Sequence, residues 1–221
     1  MKLFRNSMAV TVVTTLILAL VGVFLGNTFT ASAAGGPKAD TVKYLPIASG
    51  QYSFDPNHTV IGFSVRHLEI ALVSGRFKDL SGAVNFDDKN VTRSTVEFSA
   101  KIASIDTGVE ARNEHLRTAD FFDAAKYPEM TFKSTKVEKK GKAYQMTGDL
   151  TIKGVTKQVT FPFTFTGVVK DPWGGTRFGI AAETVINRRD FGINYGNALS
   201  IGGFDVASDV KVGLQIEAVK K

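Results

Sequence analysis

The chain has 221 residues, 43% apolar and 22% charged, a balance ordinary for a globular protein and sized for one all-β domain or two small ones. It has no cysteine, which excludes disulfides, thiolate metal sites, cysteine nucleophiles and a cysteine-linked lipid anchor. Apart from Lys2 and Arg5, 25 basic residues face 21 acidic ones, an excess too small to imply a nucleic-acid partner.

The N-terminus reads as an export signal. Lys2 and Arg5 form a positive n-region, residues 8–29 are apolar and uncharged, and Ala31-Ser32-Ala33 is a small-x-small cleavage site. Residues 1–33 are therefore expected to be a signal peptide, placing the mature protein in the periplasm or outside the cell. A retained membrane anchor is the alternative reading of the same segment. Residues 34–50, with Gly35-Gly36-Pro37, read as a flexible leader. Residues 51–221 are expected to form the β-barrel domain.

Seventeen Phe against one Trp is a marked bias, and Phe rings, lacking a polar handle, belong in a dry place. Tyr52 and Phe54 mark a first short strand ended by Asp55-Pro56-Asn57. Ile61, Phe63, Val65 and His67 share one face of the next strand, with Arg66 on the other. The parity of Val73, Gly75 and Phe77 then changes to that of Leu80, Gly82, Val84 and Phe86, which predicts a β-bulge. Val96, Phe98, Ala100 and Ile102 alternate with polar residues. Thr107-x-x-Glu110 has the form of a capping box and predicts a short helix over 108–118. A turn holding Phe121 and Phe122 follows, and strand pattern resumes at Met130 and Phe132.

Residues 144–169 carry the clearest pattern. Tyr144, Met146, Gly148, Leu150 and Ile152 share a face before Lys153-Gly154. After it, Val155, Val159, Phe161, Phe163 and Phe165 share one at the opposite parity. A two-residue hairpin requires this flip and sets Ile152 against Val155, Met146 against Phe161 and Tyr144 against Phe163. Phe178, Ile180, Ala182 and Ile186 follow, residues 188–203 read as a Gly-rich loop, and Val206–Ile216 alternates cleanly. The count is about eight strands and one short helix, which predicts an antiparallel barrel or closed sandwich. The Phe stripe and the inward glycines Gly82 and Gly148 point to a partly empty interior.

Catalytic and metal motifs are sparse. His58, His67 and His115 are the only histidines and have no metal-ligand spacing. No G-x-S-x-G elbow supplies an acyl-transfer nucleophile. Arg188-Arg189-Asp190 reads as an anion contact or as a solvated ion pair at a loop end. His67 continues an apolar face, where it serves either as a hydrogen-bonded core histidine or as a ligand contact.

Several segments resemble the YceI-like family, lipocalin-like periplasmic proteins that bind polyisoprenoid or related lipids. They include Asp55-Pro-Asn-His58 through Arg66-His67, Gly75-Arg-Phe77, Arg112-Asn-Glu-His115-Leu-Arg117 and Asp120-Phe-Phe-Asp123. Gly148-Asp-Leu-Thr-Ile-Lys-Gly154 and Arg189-Asp-Phe-Gly192 continue the match. Two mild departures stand out: the family often has an acid where Asn113 stands, and another after Asp209. The resemblance implies an elongated eight-stranded antiparallel barrel with a helix beside it and a long apolar tunnel. It further implies carriage or storage without catalysis, no cofactor beyond a bound polyisoprenoid or similar lipid, and often a homodimer; the lipid-binding reading itself adds transient contact with a membrane as an expectation. On this reading Phe63, Val65, Phe98, Phe132 and Met146, with Phe161, Phe163 and Phe165, line the lipid chain. His67, Arg112 and Arg189 meet its head group. The competing reading is an enzyme acting on a lipid or quinone, with His67 or His115 as general base.

Overall fold

The computed structural model describes residues 44–141 and 143–221. The expected signal peptide and the leader as far as residue 43 lie outside the described residues. Residues 44–49, also expected in the leader, lie against the barrel. Leu45 N–H donates to Val168 O at 3.0 Å, and Ile47 packs on the core.

Eleven strand segments form one antiparallel sheet that closes on itself. They are β1 (Gly50–Phe54), β2 (Val60–His67), β3 (Ala71–Phe77), β4 (Leu80–Phe86), β5 (Thr95–Lys101), β6 (Ile105–Asp106), β7 (Glu129–Lys140), β8 (Ala143–Ile152), β9 (Val155–Lys170), β10 (Thr176–Asn187) and β11 (Val206–Lys220). Helix α1 (Glu110–Arg117) lies between β6 and β7.

The segments amount to eight barrel strands. β1 and β2 pair successively with the same edge of β11, through Phe54↔Ala218 and then Gln215↔Val60. β4 and β3 likewise pair with β1 and β2, and β5 and β6 with β4 and β3. Three barrel strands are therefore each broken once, and the breaks lie side by side. Lys101 N–H donates to Asp79 O and Lys78 N–H to Ser104 O across them. The parity change expected as a bulge at 77–80 is one of these breaks. A long strand in a small closed barrel must bend, and breaks in neighbouring strands let it do so without stranding backbone polar groups.

The 144–169 hairpin has the predicted register: Ile152↔Val155, Gly148↔Val159, Met146↔Phe161 and Tyr144↔Phe163. Lys153 and Gly154 have φ of 50° and 75°, the two left-handed residues of a type I′ turn.

The interior has two halves. At the end holding the start of β1 and the β9–β10 turn, aromatic rings fill it. Tyr52 and Phe178 meet edge-on at 4.6 Å, Phe86 and Phe165 at 5.6 Å, and Tyr144 stacks on Phe163 at 5.5 Å. Tyr52 is 0% exposed, yet its hydroxyl is satisfied, donating to Ala48 O at 2.7 Å. The inward glycines do not leave voids. A Cβ on Gly82 would lie 2.4 Å from the Phe54 ring, and one on Gly148 2.4 Å from the Phe132 ring. The expectation that these glycines hollow the barrel is thus corrected: each makes room for an aromatic ring.

Candidate functional site

The other half of the barrel holds a cavity of about 300 Å³. Its wall is built mainly of aliphatic and aromatic side chains from β2, β3, β5, β7 to β11 and α1. Phe63, Val65, Phe98, Phe132 and Phe161 are on this wall, as the sequence predicts. Met146, Phe163 and Phe165 are not. Phe163 and Phe165 belong to the packed aromatic half, and Met146 is buried opposite Phe161 and Val137. The stripe has one parity but spans both halves, so the tunnel expected along its whole length is shorter than the strands.

Helix α1 forms one side of the mouth. The expected capping box does not form: Val109 is the N-cap residue and gives no side-chain bond. Asn113 ties the helix down instead. Its Oδ1 accepts from Thr107 N–H at 2.9 Å and from Thr107 Oγ1 at 2.7 Å. Arg112 donates from Nε to Thr107 Oγ1 and from Nη2 to Thr107 O, both at 2.8 Å. Two of its five N–H groups are thereby used, and Arg112 lines the cavity.

His67 ends β2, exposed to solvent yet on the cavity wall, and among the described residues its ring makes no hydrogen bond. It marks where the cavity meets water. His115, on α1, also lines the cavity. Its Nε2 lies 2.9 Å from Asp120 Oδ2, and its ring meets those of Phe121 and Tyr195 edge-on. The structure gives this histidine an oriented partner in Asp120, five residues on.

The solvated ion pair read for Arg188-Arg189-Asp190 does not form among the described residues, and Arg188 is not free to meet an anion. Arg188 is 5% exposed and donates to Ala207 O, Ile193 O and Val206 O at 2.7–2.9 Å. Burial pushes its pKa down, but three carbonyls hold it as the clasp of the 188–206 loop. Arg189 stacks on Phe204, with its Cζ 4.0 Å from the ring centre, and donates to Ser208 Oγ, off the cavity wall. The head-group role expected of Arg189 therefore has no support in its position.

Sequence reasoning missed Phe191, Ile193 and Tyr195, which cross the cavity from the loop. Their alternation was visible, but four glycines across 192–203 masked it as irregular. Phe121 and Phe122 also reach the wall from a turn in which Asp123 has φ of 53°. The cavity wall contains no Asp or Glu; its polar groups include His67, Thr107, Arg112, His115 and Tyr195. This arrangement can hold an apolar chain inside and present hydrogen-bond donors to a head group at the mouth.

A second polar cluster stands away from the cavity, where β1 breaks into β2. Arg177 Nη1 lies 2.6 Å from both Asp55 Oδ2 and Glu217 Oε1, and its Nε 2.7 Å from Asp171 Oδ2. His58 Nδ1 is 3.0 Å from Asp55 Oδ2. The hydrogen bond from His58, then that from Arg177, holds the Asp55 carboxyl well below the usual carboxylate range. Asp55, His58 and Glu217 have metal-ligand spacing, their ligand atoms all within 4.8 Å of one another, but the Arg177 guanidinium already sits as the cation among these carboxylates.

The family model described as a YceI-like domain matches residues 52–218. The YceI protein of Escherichia coli O157:H7 is 40% identical over 169 residues, covering 76% of this chain and 85% of its own length. The crystal structure of the Campylobacter jejuni YCEI protein matches with a TM-score of 0.62 at 34% identity, over 71% of this chain and 90% of that one. A polyisoprenoid binding domain from Saccharophagus degradans, implicated in plant cell wall breakdown, matches with a TM-score of 0.60. It is 17% identical and covers 77% of this chain and 98% of its own.

Proposed function

The chain belongs to the YceI-like domain family, and from that premise we propose that it is an exported lipid-binding protein. It holds a long-chain isoprenoid or related amphiphile in the barrel cavity, for transport or storage, in the periplasm or outside the cell. The observation that carries this reading is the division of the cavity wall. Phe63, Phe98, Phe132, Phe161, Val159 and Leu214 make a dry interior, the buried Arg188 on the same wall donates to backbone carbonyls, and His67, Arg112, His115 and Tyr195 supply polar groups where the cavity meets water. Each CH₂ moved from water into such a wall contributes about 0.8 kcal/mol, so a long chain binds tightly without special chemistry. The fold is shared with the Saccharophagus degradans domain, which is described as polyisoprenoid-binding. Holding a lipid needs no cofactor and no catalytic group.

Organic extraction of protein purified from its own type of host, followed by mass spectrometry, tests the reading. One long-chain amphiphile at near-equimolar amount is expected; protein that yields no lipid and takes up none overturns it. The His115–Asp120 pair favours a second reading, in which an oriented imidazole acts on the head group as general base. That reading predicts turnover of a bound lipid that is lost in His115→Gln.

A further inference from the structure

The cavity mouth carries apolar side chains that the barrel does not use. Ile70, at the β2–β3 turn, is 81% exposed, and Ile201, in the loop before β11, is 80% exposed. Leu68 in the same turn is also exposed. These are not stray surface residues on slack loops. The β2–β3 turn is reached from His67 and the 196–205 loop lies between Tyr195 and Val206, all three on the cavity wall. Leu68 N–H donates to Asp205 O at 2.8 Å, binding the two turns to each other. Asp205 in turn accepts from Asn197 N–H at 2.8 Å, holding the base of the loop. Leu68 and Glu69 have φ of 51° and 60°, left-handed values that residues with a Cβ seldom adopt. Ile70 is thus held out into water by a turn its sequence does not favour.

We propose that this rim is a membrane-docking surface: Ile70 and Ile201 enter the outer layer of a lipid bilayer and bring the cavity mouth against it. The proposal rests on the lipid-carrier reading, because it gives the bound chain a path from bilayer to cavity that never crosses water. Charge at the rim argues for insertion over attraction to anionic lipid. Arg66 faces Glu69 at 3.9 Å, and Asp205 is engaged by backbone N–H groups. Zwitterionic phosphatidylcholine is therefore a sufficient partner, and the contact is insensitive to salt. The far end differs. It bears the only tryptophan, Trp173, 83% exposed, beside Lys170 and Lys220, for which the described residues offer no acidic partner.

The test compares wild type with Ile70→Ser/Ile201→Ser. Both sites are exposed, so equal melting temperatures confirm an intact barrel. With phosphatidylcholine vesicles, wild type is expected to co-float, and the double variant to lose that binding by about tenfold or more, the factor that 1.4 kcal/mol brings. Uptake of a fluorescent C16 fatty acid from the same vesicles should slow by a similar factor. Its uptake from dilute ethanol, and the final stoichiometry, should not change. Equal flotation of the two proteins, or no flotation of wild type, overturns the docking proposal. Failure of both proteins to take up the fatty acid from ethanol, or any lipid in extraction, counts against the carrier reading; flotation still decides docking. Brominated phosphatidylcholine should leave Trp173 emission unquenched, and quenching would place the far end on the membrane and overturn the proposal. So would conversion of a wild-type dimer to a monomer by the substitutions, which would make the rim a contact between copies.

Discussion

Phe163 on β9 and Phe63 on β2 carry the same side chain in the two different halves of the interior, and their loss is expected to read differently. Phe163 is packed among Tyr144 and Phe165 in the filled half. Phe163→Ala should therefore cost about 3–5 kcal/mol of stability, equally with and without lipid. Phe63 stands half-buried on the cavity wall over Gly75, so Phe63→Ala should weaken lipid binding more than it lowers stability. Denaturant unfolding beside a lipid titration measures both; matching affinity losses in the two variants would refute the division of the interior. His67 gives a sharper case. Its ring has no protein partner among the described residues, so it is free to meet a head group. His67→Phe keeps the bulk and removes the polar atoms. Affinity for lipids with acceptor head groups should fall by about 0.5–1.5 kcal/mol, the worth of one neutral hydrogen bond, while hydrocarbon binding holds. An unchanged preference would make His67 a bystander.

Elements in this barrel are held by turn chemistry and by corners. Gly154 has φ of 75°, and a Cβ there would also meet the Tyr127 ring at 2.5 Å. Gly154→Ala should destabilise the barrel by about 1–2 kcal/mol from the left-handed backbone alone, read as a lower melting temperature without loss of lipid stoichiometry. The β1–β2 corner depends on charge instead. Asp55 and Asp171 both have pKa values lowered in the fold, Asp55 by His58 and then Arg177, Asp171 first by Arg177. A carboxyl whose folded-state value lies below its unfolded one stabilises fully above the ordinary 3.8 and loses that contribution as pH falls below it. His58 is raised by Asp55 and has the opposite sign. Its contribution is present below the ordinary 6.5 and lost as pH rises, but at its exposed site it is small. Arg177→Gln leaves three carboxylates facing one another, so its melting temperature should fall well below wild type at about pH 7. The gap should narrow at about pH 3, where the variant's carboxyls protonate. An equal deficit at both pH values would mean that Arg177 acts through packing.

For the whole molecule, export is expected to leave Ala34 as the first residue of the mature protein, checked by N-terminal sequencing from its own type of host; a chain beginning at Met1 would make this a membrane-anchored barrel. How much of the molecule could be read beforehand follows from how local each cause is. A side chain's face in a strand is set by its own parity, and a two-residue turn ties two parities together, so the hairpin register from Tyr144↔Phe163 to Ile152↔Val155 was legible residue by residue. A closed antiparallel sheet, as barrel or sandwich, was legible too, because about eight such strands with apolar inner faces cannot leave an edge exposed; the resemblance to the YceI-like family chose the barrel. Only the tertiary structure decided which part of the apolar stripe is core and which is cavity. Phe165 is core because other strands bring Phe86 and Phe178 onto it, Phe163 because Tyr144 and Phe165 pack on it, and Phe161 is wall because it faces the cavity. The corner network was illegible for the same reason: Arg177 meets Asp55 across 122 positions of sequence. Parity tells a side chain which way to point; what it meets there depends on barrel closure and on loops that cross the mouth, and no periodicity encodes either.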